Sequence, residues 1–200
     1  LFIKLKVGRI MTTKVIKETK SKTKKEMYNN FVIIPDDIKI VIDKNTFSLE
    51  SKGITQVLPY NQVYVLIEQK DNKLIVTAKK TPKRFVSVVN TTVKLIKNAI
   101  LGFKKEFVYK LAIVYSHFPI TVKIEGNKLL ISNFLGEKRP RQTEVMPGVK
   151  VMVSGKEITV SGHNLYNVSQ TAGNIERTTR VIGHDYRIFD DGCYITERLI

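Results

Sequence analysis

The chain has 200 residues, 42% of them hydrophobic and 26% charged, which excludes wholesale disorder and leaves room for one large domain or two small ones. Thirty-four Lys and Arg stand against eighteen Asp and Glu, a formal charge of +16. That excess is larger than solubility requires and points to a polyanionic partner, nucleic acid or an acidic lipid surface. One cysteine, Cys193, excludes an intramolecular disulfide framework and a multi-cysteine zinc site, and suits a reducing compartment.

In chain order, Leu1 to Asn30 carries nine basic residues against two acids and shows no sustained apolar period after Met11, so it reads as a basic N-terminal arm over 1–30. Leu1 to Ile10 has neither a continuous apolar run nor a small-residue cleavage site. No secretory leader is expected there, and Met11 is a candidate initiator. From Ile38 to Ile42, Thr46 to Ser51, Gln62 to Gln69 and Lys73 to Lys79 the residues are β-branched and alternating, with turn clusters between them, the pattern of hairpin strands. Pro82 then opens a helical segment in which Phe85, Val89, Val93, Ile96 and Ile100 recur on one face, and Gly102 reads as its left-handed C-terminal stop.

Phe103 to His117 joins this unit to a second one, with a strand expected from Phe107. The longest central stretch without formal charge, Leu111 to Val122, has twelve residues, well short of the roughly 20 that span a bilayer. Thr121 to Glu125, Leu129 to Asn133, Lys150 to Ser154 and Glu157 to Ser161 read as strands again. Val168, Ala172, Ile175, Thr179 and Ile182 give a second helix closed by Gly183.

The body repeats itself. Pro35 to Ile40 aligns with Pro119 to Ile124 at a shift of 84. Gly53 falls on Gly136, and Lys73 with Ile75 on Lys156 with Ile158, at a shift of 83. The two glycine-closed helices match at 81. A period this long is a duplicated small domain rather than a solenoid repeat. Strands in runs followed by a helix predict an α+β fold of two similar domains, over 31–102 and 103–200, each an antiparallel sheet packed by one main helix.

Catalytic chemistry is poorly supplied. No phosphate-cradling glycine loop, zinc-binding HExxH or paired-carboxylate motif occurs. His163 reads as a surface turn residue and His117 as a packed residue of the joint between domains, and nothing orients Cys193 as a nucleophile. An enzyme is not expected, nor a cofactor, a metal or a small-molecule substrate. Basic clusters are the alternative: Lys79, Lys80, Lys83 and Arg84 before the first helix, Lys104, Lys105 and Lys110 at the joint, Lys138, Arg139 and Arg141 in a long loop of the second copy, and Arg177, Arg180 and Arg187 near the end. Basic side chains on loops can track phosphates while nearby rings stack on unpaired bases. Pro140, which lacks an amide hydrogen and holds Arg139 extended, predicts that Arg139 and Arg141 both project from a stiffened loop. A membrane partner is not expected, since neither a basic amphipathic helix nor a lipidation motif is present.

The segments Gly102-Phe103-Lys104-Lys105, Val114-Tyr115-Ser116-His117-Phe118-Pro119-Ile120, Asn133-Phe134-Leu135-Gly136-Glu137-Lys138, Met146-Pro147-Gly148-Val149 and Asp191-Gly192-Cys193-Tyr194-Ile195 closely resemble the large-subunit ribosomal protein six family. More particularly they are similar to its eukaryotic branch, called large-subunit protein nine. The resemblance runs from about Ile33 to Arg198 and departs at Arg177, His184 and Cys193, where the family has Gln, Lys or Arg, and an aliphatic residue. It implies a structural constituent of the large ribosomal subunit on cytosolic ribosomes. It also implies binding to large-subunit ribosomal RNA near the sarcin-ricin loop and stalk base, beside neighbouring ribosomal proteins, chiefly through the second domain. The RNA-binding residues expected are Lys104, Lys105, Lys110, Lys138, Arg139, Arg141, Arg177, Arg180 and Arg187. The competing expectation is a basic adaptor on an anionic membrane surface or an acidic protein partner.

Overall fold

In the computed structural model, which describes residues 27–43, 46–51, 53–70, 72–80, 82–185 and 187–199, the alternating segments form antiparallel strands laid out twice in one order. The first unit comprises β1 (Asn29–Ile33), β2 (Lys39–Ile42), β3 (Thr46–Ser51), β4 (Ile54–Pro59), β5 (Val65–Lys70), β6 (Lys73–Ala78) and α1 (Lys83–Lys104). The second comprises β7 (Phe107–Val114), β8 (Thr121–Glu125), β9 (Lys128–Ser132), β10 (Arg141–Glu144), β11 (Val149–Ser154), β12 (Glu157–Gly162), α2 (Leu165–Thr178) and a last strand, β13 (Gly192–Leu199). Each unit holds two small sheets, β1-β6-β5 with β2-β3-β4, and β11-β12-β7-β13 with β10-β9-β8. The fold is α+β and duplicated. The basic arm lies outside the described residues up to residue 26, and its last two positions, Asn29 and Asn30, begin β1.

Backbone register shows the duplication more sharply than residue identity does. Ile34 N donates to Asn72 O at 2.8 Å, and Ile113 N donates to Lys156 O at 2.7 Å. These bonds equate Asn72 with Lys156 and Leu74 with Ile158, a shift of 84 along this strand rather than the 83 that identity suggests. Side-chain parity decides the matter, because a one-residue slip exchanges the two faces of a strand. Leu74 and Ile158 are both fully buried, whereas Ile75 is half-buried. The helices obey the same logic: Val89, Thr92, Val93 and Ile96 correspond to Val168, Thr171, Ala172 and Ile175 at a constant shift of 79, all buried. Both threonines are tolerated inside because each hydroxyl donates to the carbonyl four residues back, Thr92 to Val88 at 2.9 Å and Thr171 to Asn167 at 2.8 Å.

Two apolar cores result. Phe47, Leu49, Val65, Leu74 and Val76 meet Val89 and Ile96 of α1, and Leu111, Leu129, Ile131, Phe134, Ile158 and Val160 meet Val168 and Ile175 of α2. Each such side chain contributes about 1.5–3 kcal/mol when fully withdrawn from water. The strand expected from Phe107 is β7, the interior strand between β12 and β13. Two expectations change here. Gly102 does not stop α1, which runs two residues further and ends at Lys105 in extended backbone (φ −146°). Gly183 does adopt a positive φ of 81°, but in the loop beyond α2, which ends at Thr178.

What Gly102 supplies is room. A Cβ on it would stand 2.0 Å from the His163 carbonyl oxygen, so only glycine lets the second unit seat against the end of α1. Two polar contacts close the joint: Gln56 Nε2 donates to His163 O at 2.9 Å, and His163 Nδ1 lies 2.9 Å from Gly102 O. Nε2 of the same ring is 3.3 Å from Glu106 Oε1. His163 is therefore the joint histidine. His117, expected in that role, lies instead against Phe189 and Asp191 of the second unit.

Candidate nucleic-acid interface

Between β3 and β4 the first unit turns tightly, with Ser51 opposite Ile54, whereas between β9 and β10 the second unit carries an additional segment, 133–140. Asn133 and Leu135 accept left-handed backbone there (φ 60° and 50°) and wrap a short 3-10 turn around Phe134, which is fully buried. Lys138 and Arg139 follow at the exposed tip. The inserted loop therefore projects two cations from a plug driven into the core.

Arg141 differs from the projecting residue expected. Its Nε and Nη2 donate to both carboxylate oxygens of Glu137, at 2.9 and 2.6 Å, a bidentate pair four residues apart. Nη1 donates to Thr178 O at 2.8 Å and Arg180 O at 3.1 Å, and the guanidinium lies 4.2 Å from the Phe134 ring centre. The hydrogen bond from Arg141 holds the Glu137 carboxyl below its ordinary value of 4.5, partial burial opposing it. Arg141 thus ties the loop to the carbonyl end of α2, where the helix leaves acceptors unfilled. Register explains the inward turn: Arg141 pairs opposite Ile131 as Gln56 pairs opposite Leu49, and each side chain reaches across the C-terminal end of its own unit's helix.

The remaining expected residues fall into groups. Arg177, in the last turn of α2, and Arg180, just beyond it, are exposed and line one cleft. Arg141 draws the loop bearing Lys138 and Arg139 to this same end of the helix. Arg187 is exposed in the segment leading to β13. Lys104 and Lys105 are exposed at the end of α1, on the joint. Lys110, on β7, is paired with Glu197 at 2.8 Å, and that hydrogen bond raises its pKa above the ordinary 10.5.

Cys193 is fully buried, its amide donating to Thr179 Oγ1 at 2.9 Å, and burial pushes its thiol up to about 11. A thiol so placed packs as a small apolar group and is a poor nucleophile. Among the described residues no cluster of three or more metal-ligating side chains occurs, and no helix is long and apolar enough to cross a membrane.

Comparison with known proteins assigns the class. The profile of the family described as Ribosomal protein L6 matches residues 118–192, all within the second unit. The chain is 39% identical over 165 residues to the large ribosomal subunit protein uL6 of Methanosarcina mazei, covering 82% of this chain and 94% of that one. It is 36% identical over 184 residues to uL6 of Archaeoglobus fulgidus (88% and 93%), and 48% identical over 134 residues to uL6 of Aeropyrum pernix (67% and 74%). This duplicated α+β chain belongs to the uL6 family of ribosomal proteins. Its role is structural, as a constituent of the large ribosomal subunit working in translation with ribosomal RNA and other ribosomal proteins, and it is not an enzyme.

Proposed function

We propose that the chain secures large-subunit ribosomal RNA near the sarcin-ricin loop and the stalk base, in cytosolic ribosomes, and that the second domain, 103–200, does most of the holding. The observation that carries this reading is the inserted loop at 133–140, which places Lys138 and Arg139 in solvent on a segment that Arg141 ties to the Arg177 and Arg180 end of α2. Ordering such a loop on RNA costs little entropy, since its backbone is already fixed by a buried ring and a bidentate ion pair. Lys104 and Lys105 at the end of α1, Lys110 on β7 and Arg187 before β13 add further basic side chains. Arg141 serves RNA binding indirectly, by shaping the loop. The first domain, 31–102, is the more peripheral body, and the arm over 1–30 adds positive charge.

Burial of the natural thiol makes a direct test possible. In a Lys138→Cys chain the new thiol is exposed while Cys193 stays shielded, so an iron chelate attached by thiol chemistry reports from the loop alone. Assembled into large subunits, it is expected to cleave ribosomal RNA at the sarcin-ricin loop and stalk base. Cleavage confined to other regions would contradict the placement.

A further inference from the structure

Beyond the C-terminal end of α2 the surface opens into a cleft of about 710 Å³. Three rings, His184, Phe189 and Tyr194, line it together with Arg177, Arg180 and two carboxylates, Asp190 and Glu176, the latter accepting from Ile195 N at 3.4 Å. Phe189 stacks on one histidine and meets a second at a tilt. His117 lies on one side at 4.6 Å between ring centres and 28° between planes, and His184 contacts it at 4.8 Å and 44°.

A buried carboxylate sets this stack. Asp191 is fully enclosed; its Oδ1 accepts from Ser116 N at 2.5 Å, while Oδ2 stands 3.4 Å from His117 Nδ1 and accepts no hydrogen bond among the described residues. Ser116 Oγ donates to Asp190 Oδ1 at 2.6 Å, and Tyr194 donates to Asp190 O at 3.1 Å. The turn carrying His117 is thereby fastened to the segment carrying Phe189. Enclosing an incompletely bonded carboxylate is unfavourable, so what it gains here is ring orientation rather than stability.

The cleft combines ring faces with two guanidinium groups, neither paired with a carboxylate among the described residues. Charge alone would serve a duplex backbone. A ring face serves something else: bases within a helix are stacked on one another, and only an unstacked base exposes its own face to an aromatic side chain. We propose that this cleft receives a single unstacked nucleotide of RNA, its base against Phe189 and His184 and its phosphates on Arg177 and Arg180. The assignment rests on the RNA reading above and adds to it that a base, and not only backbone charge, is held.

The test uses the full chain and two RNA hairpins, one with a single bulged 2-aminopurine and one with an abasic residue at that position. Binding is expected to quench the 2-aminopurine fluorescence, and the bulged hairpin should bind about 5- to 150-fold more tightly than the abasic one, the range for one stacked base. Phe189→Leu and His184→Ala should each remove most of that ratio and leave affinity for the abasic hairpin within about twofold. His184 is exposed, so its variant reports on stacking even if Phe189→Leu proves unfolded by melting. Equal affinity of the wild-type chain for both hairpins, or equal losses on both in the variants, would overturn the assignment. Adenosine monophosphate binding as tightly as the bulged hairpin would overturn its RNA source. Absence of binding to either hairpin at low salt would remove the RNA reading itself.

Discussion

Replacing Arg141 by alanine is expected to lower stability by about 2–4 kcal/mol. The substitution removes two hydrogen bonds from a charged donor, to the carbonyls of Thr178 at the end of α2 and Arg180 just beyond it, together with the bidentate pair with Glu137 and the contact with the Phe134 ring. Hydrogen bonds to charged groups contribute about 1.5–3 kcal/mol and a cation over a ring about 0.5–2, with the half-exposed ion pair adding little. For a chain of this size each kcal/mol moves the melting temperature by about 2–4 °C, so calorimetry should register a fall of roughly 4–16 °C. Arg141→Lys should recover only a small part, since an ammonium cannot fork between a carboxylate and two carbonyls. The Glu137 partner gives the loss a pH signature. Its folded pKa is depressed, so the pair's contribution is complete above the ordinary carboxylate value of 4.5 and fades as pH falls below it, and the gap between wild type and variant should narrow in acid. A variant that melts with the wild type would show that the guanidinium does not tie loop to helix.

A second large effect is expected at Gly102. Alanine within a helix normally improves on glycine by about 1 kcal/mol. At Gly102 the sign should reverse, because the added Cβ would stand 2.0 Å from the His163 carbonyl oxygen, 3.0 Å from the Phe107 ring and 3.2 Å from the Gln56 amide. Backbone must move by more than an ångström to relieve the first contact, and overpacking of this severity costs at least about 3 kcal/mol. The joint between the units is then expected to open, visible as two melting transitions where the wild-type chain is expected to show one, or as a larger radius of gyration in solution scattering. Gly173, inside α2 with nothing within 4 Å of its would-be Cβ, is the matched control. Gly173→Ala should raise stability by up to about 1 kcal/mol. Two glycines of similar helical setting thus separate propensity from packing.

Sequence patterning revealed the duplication, most hairpin strands and both helices, since each depends on local period. It missed β1, β4, β10 and β13 for a common reason. These strands are short or polar on one side: β10 reads Arg-Gln-Thr-Glu with Thr143 alone buried, and β13 exposes most of its length. Their strand character comes from partners supplied elsewhere in the chain, β10 from β9 and β13 from β7. The histidines exchanged roles because the contacts that define them join residues 61 apart, for His163 with Gly102, and 72 apart, for His117 with Phe189. Arg139 and Arg141 looked equivalent around Pro140, yet only register reveals that Arg141 falls where the first unit has Gln56. One local signal was present: Glu137 stands four residues before Arg141, the spacing of an ion pair. The stacking of His117 on Phe189 had no such signal, because the two rings meet only after β7 and β13 have paired.

Titration of RNA binding against salt, for variants of the two units side by side, tests the central claim most directly. If the second unit's basic surface neutralises six to ten phosphates, affinity for a large-subunit ribosomal RNA fragment falls by about 10³–10⁵ between 50 and 200 mM salt. Lys138→Ala with Arg139→Ala should reduce the slope of log affinity against log salt by about 1.8, near 0.9 for each phosphate no longer neutralised, without changing the melting temperature. Lys39→Ala with Lys79→Ala, exposed positions of the first unit, should leave slope and affinity unchanged. A flat salt response, or equal losses from the two pairs, would contradict the assignment of ribosomal RNA to the second unit.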